Sequence, residues 1–374
     1  MEKDVFVVAD NVLSPIGKTS AENFDRLKKN ISGVKEQNNP AISPRPFFAS
    51  LFNEGDISIK SGSTKFEQLL IDSITDALQN SGIDPKDKKT ILIISSTKGN
   101  ISLLETEEHT HELEKRIALS TSARLVAEHF GFVNTPIIIS NACISGVMGV
   151  ITGMRLLRTG QYENAVVAGS DVISSFILSG FESFQALSPQ VCRPFDKSRD
   201  GLNLGEGAAT IILSTNKKFD GNIKVLGGSI SNDANHISGP SRTGKELSWV
   251  IEQSLKEAGL SADDIDFISA HGTATPYNDE MEAKAINLSR LQSVPLNSLK
   301  GYYGHTLGAA GLIESAISIR SLKEGLLIPT PGYNESGVTQ PVNIIADMQP
   351  TQAKSFLKTA SGFGGCNAAV IFGK

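Results

Sequence analysis

The sequence predicts an α/β protein in which one folding unit is used twice, with two helices held at the centre between two sheets. Three observations carry this expectation. Apolar strand-like runs alternate with amphipathic helical runs, the pattern that winds parallel strands through βαβ units. Four segments of the second half match four segments of the first in the same order, which implies an internal duplication. Two Gly-rich helical runs related by that duplication carry small residues every three to four positions, so each has a face with little side chain.

The elements follow in order. The run Met1-Glu-Lys-Asp-Val-Phe-Val-Val-Ala-Asp10 reads as a first strand, because its acids come too early for a secretory signal. Thr64 with Glu67 forms a capping box ahead of Leu69, Leu70 and Ile74, and a helix is expected there. Gly82-Ile-Asp-Pro-Lys-Asp87 then leads into a strand over 91–95. The second half repeats this: Thr243 with Glu246 before Val250, Ile251 and Leu255, then Gly259-Leu-Ser-Ala-Asp-Asp264 and a strand over 265–269. A shift of 162 puts Cys143 on His305; Gly146, Gly149 and Gly153 then fall on Gly308, Gly311 and Ser315. Residues 207–212 match 367–372. The division expected is an N-terminal half over 1–216 and a C-terminal half over 217–374. Gly153 and Ser315 lie well inside their helices, where Gly costs about 1 kcal/mol against Ala. The small stripes are therefore expected to pack the two helices against each other, with their N-termini on one face.

Composition excludes several classes. The 374 residues have room for two domain-sized units, and 40% hydrophobic and 20% charged residues with 34 Gly describe a globular chain rich in turns. A net charge of -5 gives no nucleic-acid footprint. No apolar run is long enough to span a bilayer. Three Cys is an odd count that argues against a disulfide framework and for a reducing cytoplasm.

The chemistry-bearing residues sit at strand ends. In Pro136-Ile-Ile-Ile-Ser-Asn-Ala-Cys143-Ile-Ser-Gly146 a strand-forming run leads through a polar turn to a thiol at the start of a helix, where unpaired N–H groups and the macrodipole favour thiolate. His271 in Ala270-His-Gly-Thr-Ala-Thr275 and His305 in the run 300–308 occupy similar junctions. One Cys and two His at strand ends suggest a nucleophile with two imidazoles converging on it. The other histidines read as structural: His109 and His111 on a solvated Glu-rich face, His129 as a cap after a helix, His236 in a polar loop. Cys192 reads as buried. The turn from Asp196 to Asp200 reads as a brace that orders the site through ion pairs. A zinc reading fails for want of closely paired ligands.

Six motifs together resemble the elongating β-ketoacyl–acyl carrier protein synthases, the Cys-His-His ketosynthases of the thiolase superfamily. They are Val12-Leu-Ser-Pro-Ile-Gly17, Asn141-Ala-Cys-Ile-Ser-Gly146, the central Arg193-Pro-Phe-Asp-Lys-Ser-Arg-Asp-Gly201 with Leu204-Gly-Glu-Gly-Ala208, His271-Gly-Thr-Ala-Thr275, the run 300–311, and Ser361-Gly-Phe-Gly-Gly365. The resemblance covers nearly the whole chain. It implies a thiolase-like duplicated five-layered α-β-α-β-α architecture, with two mixed sheets sandwiching the central helices.

The resemblance also implies roles. Cys143 accepts the acyl group. His271 and His305 promote decarboxylation of a malonyl donor and stabilise the enolate. Lys300 acts structurally and electrostatically, and Glu314 is an acidic residue near the site. Phe363 gates the cavity, and its N–H joins that of Cys143 in an oxyanion hole. Thr273 and Thr275 hydrogen-bond the phosphopantetheine arm, and Gly364 and Ile144 lie at the substrate. No cofactor or metal is called for. The partner implied is acyl carrier protein, with a homodimer, or a heterodimer with a related ketosynthase-like subunit, formed by antiparallel pairing of a strand near Cys143.

Three departures stand out. Cys366 replaces a small hydroxyl, and reads as an inert substitution. Ile144 puts a branched side chain where the family's acyl pocket lies. The chain is also short for the family, which suggests a specialised role such as aryl polyene or other polyketide extension. A thiolase would need an Asn-Glu-bearing motif where His271-Gly-Thr-Ala-Thr275 stands. An initiating synthase would have Asn in place of His305. A chain-length-factor-like partner would lack Cys143.

Overall fold

A computed structural model describes residues 3–374, so Met1 and Glu2 of the expected first strand lie outside the described residues. That strand spans Phe6–Leu13. The first half adds Thr90–Ser95, Ile137–Ile139, Asn164–Asp171 and Gly207–Ser214. The second half supplies Lys224–Asn232, Phe267–Ser269, Pro295–Asn297, Ser355–Gly362 and Cys366–Gly373, with a short edge strand Asn343–Ile344. Numbered within its own half, each set of five strands lies in the same spatial order, first-fifth-fourth-second-third. The direction pattern is also the same: second, third and fourth run parallel, while the fifth is antiparallel to its neighbours. The duplication seen in the sequence is thus a duplication of topology. The two mixed sheets join at one seam, where Phe6 pairs Lys224 and Val7 N–H donates to the Ile223 carbonyl at 2.7 Å.

Five layers follow from which faces are apolar. Helix Lys65–Gln79 covers the outside of the first sheet, burying Leu69, Leu70 and Ile74. Helices Lys245–Ala258 and Pro276–Leu288 cover the outside of the second, through Val250, Ile251 and Ile286. Ser145–Arg158 and Ala310–Glu324 lie between the sheets, in a core that takes side chains from both. The read boundary at 216/217 falls in the connection between Gly207–Ser214 and Lys224–Asn232. No helix among the described residues is long and apolar enough to cross a membrane.

Local expectations divide. The Thr64–Glu67 capping box is present, with Glu67 N–H on the Thr64 hydroxyl at 3.2 Å and Thr64 N–H on Glu67 Oε2 at 3.0 Å. The matching box at Thr243 and Glu246 does not form. Helix Lys245–Ala258 is preceded by Gly244 in a left-handed conformation (φ 74) with no side-chain cap. A Cβ at Gly244 would come within 2.7 Å of the Met281 carbonyl and the Ala285 nitrogen, so packing against the neighbouring helix shapes this entry. His129 does not follow a helix; it lies in the last turn of Leu119–Phe130, and Gly131 makes the left-handed cap.

The small stripes do two jobs rather than one. A Cβ on Gly146 would lie 2.9 Å from the Leu312 nitrogen, and one on Gly311 would lie 2.8 Å from the Val147 nitrogen. There the helix backbones touch. Gly149 and Gly153 face strand Asn164–Asp171 instead, against Val167 and Ala165. The expectation that the whole stripe packs helix on helix is corrected accordingly: its C-terminal part lets the helix settle onto its own sheet.

Gly311→Ala is expected to destabilise the fold by about 1–3 kcal/mol through overpacking. Gly180→Ala, inside helix Ser175–Ser183 with nothing within 4 Å of the added methyl, is expected to stabilise by about 0.5–1 kcal/mol. Denaturant midpoints of the two variants check both signs.

Candidate active site

Strand Ile137–Ile139 ends in a tight turn that presents the thiol. Ala142 takes a left-handed conformation (φ 44), a strained choice for a residue with a Cβ. Asn141 N–H donates to the Ser145 hydroxyl at 2.8 Å, and that hydroxyl donates to the Ala142 carbonyl at 2.7 Å. The helix begins only at Ser145, so Cys143 stands just ahead of its first turn. The loop after Ser355–Gly362 closes over it. A Cβ at Gly362 would lie 3.0 Å from the Cys143 nitrogen and 2.9 Å from Cys366 Sγ, so the approach requires glycine. The next residue, Phe363, directs its backbone N–H to the Cys143 sulfur. Its ring stacks on Phe181 (centroids 5.6 Å apart) and meets Phe184 edge-on at 5.1 Å.

His271 follows strand Phe267–Ser269. Its backbone N–H donates to Glu282 Oε1 at 2.8 Å and to the Thr359 hydroxyl at 3.2 Å, and Gly272 N–H donates to Glu282 Oε2 at 2.8 Å. His305 lies ahead of Ala310–Glu324. It is tied by its N–H to the Asn203 carbonyl (2.6 Å) and by its carbonyl to Gly205 N–H (3.1 Å). The two rings meet edge to face, 5.3 Å between centroids at 80°. Both His, Cys143, Thr273, Thr275 and Phe363 line one cavity of about 290 Å³.

Behind the rings lies a buried charge network. Lys300 Nζ donates to the His271 carbonyl at 2.6 Å, stands 3.5 Å from His271 Nδ1 and pairs with Glu314 Oε1 at 2.6 Å. An ammonium only donates, so Nδ1 is the accepting nitrogen and the ring proton sits on Nε2. His271 Nδ1 thus faces a donor, and His305 Nδ1 has no hydrogen-bond partner among the described residues.

Burial sets the protonation states. It pushes the Cys143 thiol up to about 12, with Cys366 and Asp171 adding to the effect and Lys300 and the Phe363 N–H opposing it. Burial thus favours the thiol over the expected thiolate: desolvation outweighs the helix terminus. Burial holds both imidazoles well below their usual value, and the positive charge of Lys300 and Lys358 pushes the same way.

The other read residues are placed as follows. Thr273 and Thr275 share a hydroxyl–hydroxyl hydrogen bond of 2.9 Å. Lys300 and Glu314 sit together behind His271 rather than in the cavity wall. Ile144 is not part of that wall. It is fully buried in the core between the sheets, because the turn at Ala142 aims the thiol outward and the next side chain inward. Gly364 is outside the wall as well; its N–H fastens the loop to the Ile237 carbonyl at 2.6 Å. Cys366 is buried beside Cys143, its sulfur facing the carbonyls of Phe363 (3.4 Å) and Asn141 (3.7 Å). Cys192 is buried, while His109, His111 and His236 are exposed. Asp196 gathers the N–H groups of Ser198, Asn334 and Glu335, and Arg199 comes within 4.0 Å of Asp279.

Three functional neighbours escaped the sequence reading: Asn203, Glu282 and Lys358. Lys358 left a signal, a lone charge inside the strand run Phe-Leu-Lys-Thr-Ala, where lysine belongs only if partnered. No group of three or more His, Cys, Asp or Glu among the described residues is arranged to hold a metal ion.

A duplicated five-layered fold with a buried thiol and two imidazoles on one cavity defines the class of thiol-dependent acyl-transferring condensing enzymes. The family model for the N-terminal domain of beta-ketoacyl synthase matches residues 2–218, and that for the C-terminal domain matches 223–334. The chain belongs to the β-ketoacyl synthase family.

Relatives and solved structures agree. The chain is similar to 3-oxoacyl-[acyl-carrier-protein] synthase 2 of Vibrio cholerae, 28% identical over 99% of both chains. It is 27% identical to the tetracenomycin polyketide synthase ketoacyl synthase alpha subunit of Streptomyces glaucescens, over 100% of this chain and 97% of that one. Among solved structures, the ishigamide ketosynthase/chain length factor shares the fold at a TM-score of 0.90 and 24% identity, covering 100% of each chain. The ketosynthase ApeO in complex with its chain length factor ApeC, from Xenorhabdus doucetiae, does so at 0.88 and 24%, covering 99% and 98%.

Both active-site rings are expected to stay neutral as pH is lowered through 6.5, the ordinary imidazole value. The unfolded chain takes up protons below that pH and the folded chain does not, so stability from these two residues is lost as pH falls below 6.5. Histidine ring NMR through that range checks the assignment; a titration of either ring near 6.5 would contradict it.

Proposed function

We propose that this protein catalyses the decarboxylative Claisen condensation of malonyl-acyl carrier protein with an acyl group held on Cys143. The product is 3-oxoacyl-acyl carrier protein, in fatty acid or polyene/polyketide biosynthesis. The observation that carries the reading is one cavity lined by one thiol and two imidazoles that burial keeps neutral.

The chemistry follows from these groups. In the first step Cys143 Sγ attacks the carrier-bound thioester. A neutral ring takes up the thiol proton, which ends on the departing carrier thiol. The backbone N–H groups of Cys143 and Phe363 supply donors for the tetrahedral oxyanion. In the second step the malonyl thioester loses carbon dioxide, and its enolate oxygen is met by the N–H of His271 and by His305. The enolate carbon attacks the Cys143 thioester, a carbon–carbon bond forms as the carbon–sulfur bond breaks, and the departing thiolate takes one proton from solvent to restore the thiol. Atoms and charge balance with no redox step, so the proposed reaction calls for no cofactor beyond the carrier's phosphopantetheine arm. Thr273 and Thr275, at the cavity wall, suit the amide groups of that arm.

Acyl carrier protein is the proposed substrate carrier, and the cytoplasm the proposed compartment. A homodimer, or a pair with a related ketosynthase-like subunit, would use Ile137–Ile139. Among the described residues that strand pairs only with Thr90–Ser95 and leaves one edge open.

Cys143→Ala is expected to abolish acyl transfer while leaving the fold intact. The check is intact mass after incubation with acyl-carrier protein, together with circular dichroism; full condensation by the variant would rule out the nucleophile. His305→Ala is expected to slow malonyl decarboxylation by about 10²–10⁴-fold and self-acylation by less. Carbon dioxide release and acyl-enzyme formation measure the two steps separately, and equal losses would count against this division of labour.

A further inference from the structure

Lys358 is a fully buried lysine in the middle of strand Ser355–Gly362. It lies on the strand face that carries Phe356 and Ala360, both part of the apolar core between the sheets. An ammonium there is costly unless every proton finds a partner. Its Nζ donates to the Ser269 and Ala270 carbonyls, both at 3.1 Å, and forms an ion pair with Glu314 Oε2 at 2.6 Å. The other oxygen of Glu314 is held by Lys300 at 2.6 Å. Two buried cations therefore share one carboxylate behind the imidazoles, while a second buried carboxylate, Glu282, is taken up by the backbone N–H groups of His271 and Gly272.

We propose that Lys358 is a positioning residue of the condensing site: through Glu314 and the Ala270 carbonyl it holds Lys300 against His271 and maintains a positive charge behind both rings. The proposal rests on the condensation reading above. Lys358 does not line the cavity, so it acts through its neighbours. The Ala270 carbonyl it grips belongs to the residue before His271, and the Lys300 it fixes through Glu314 faces His271 Nδ1.

The groups around the rings give the sign of the expected effect. Facing His271 are Lys300, the His305 ring, Glu282 at its backbone N–H, Lys358 through Ala270, and Cys143 across the cavity. Asp279 lies two residues further, on Thr273 N–H at 2.9 Å. Facing His305 are Lys300, Lys358 and His271, with Asp171 beyond at Gly308 N–H (2.7 Å). Removing Lys358 deletes a like charge from both rings and leaves the carboxylates. Imidazolium then forms at higher pH.

The test is the pH profile of malonyl decarboxylation, with self-acylation measured alongside on the intact protein. In Lys358→Met the acid limb is expected to move up by about one pH unit, while self-acylation well above the limb is unchanged. Lys358→Arg keeps the charge and should keep the limb in place. A Lys358→Met limb that coincides with wild type overturns the proposal. So does an equal fall of both steps with no pH shift, the mark of a purely structural residue. Should Lys358→Met fail to fold, Lys358→Met/Glu314→Gln removes the pair together. Decarboxylation should then fall with self-acylation retained and the limb unmoved; wild-type decarboxylation in that variant overturns the proposal. If wild type itself releases no carbon dioxide from malonyl-carrier protein, the condensation reading fails instead, and the two failures are distinguished.

Discussion

The backbones of the two central helices meet where neither has a side chain. Gly146 lies against the Leu312 nitrogen and the Gly308 carbonyl, and Gly311 against the Val147 nitrogen. This contact joins the start of Ser145–Arg158 to the start of Ala310–Glu324. Cys143 and His305, one just ahead of each helix, are therefore brought to the same cavity. The adjoining turn is pinned from the first sheet. Asp171 takes Gly308 N–H at 2.7 Å and the Ser96 hydroxyl at 2.7 Å, so one carboxylate links two strand ends to the His305 segment. A methyl group at either glycine would separate the halves at the point where the site is assembled.

Desolvation then decides what the assembled groups are. A helix terminus contributes about 0.3–1 kcal/mol to a nearby anion at exposed sites, while full burial can move an ionisable group by several pK units. The larger effect wins at Cys143. The loop over Gly362 and Phe363 closes against the sulfur, and the thiol is pushed up to about 12. The same burial, reinforced by Lys300 and Lys358, keeps both rings neutral. A thiol beside neutral imidazoles can pass its proton when a thioester arrives, so ionisation accompanies attack.

The duplication was legible because it is carried by features of spacing: the pairing of Cys143 with His305 at 162 residues, and the repeated Gly pattern. Cys143 and His271 were legible because each stands just after an apolar strand, whereas the strand end expected at His305 is instead the close of the short helix Lys300–Tyr303, and its pairing with Cys143 is what marked it. What the sequence concealed depended on tertiary contact. The same Gly spacing serves helix contact at Gly146 and sheet contact at Gly149 and Gly153, and no local pattern separates the two. The Thr243–Glu246 box lost to the approach of helix Pro276–Leu288 at Gly244. Ile144 turned inward because the strained turn at Ala142 reverses the direction a simple strand-to-helix path would give. Lys358 was hidden because its partners, Glu314 and the Ala270 carbonyl, lie 44 and 88 residues away along the chain.

The placement of charge fits the order of the chemistry. Cys143, His271 and His305 line the cavity, while Lys300, Glu314 and Lys358 stand one layer behind the rings. A malonyl carboxylate entering beside an imidazolium would be stabilised in its ground state, and that stabilisation would have to be given up as carbon dioxide departs. Neutral N–H donors hold the carboxylate less strongly and still meet the enolate oxygen as its charge develops. Lys300 and Lys358 bear on both rings from behind, and through like charge each disfavours imidazolium and pushes the rings toward the neutral form.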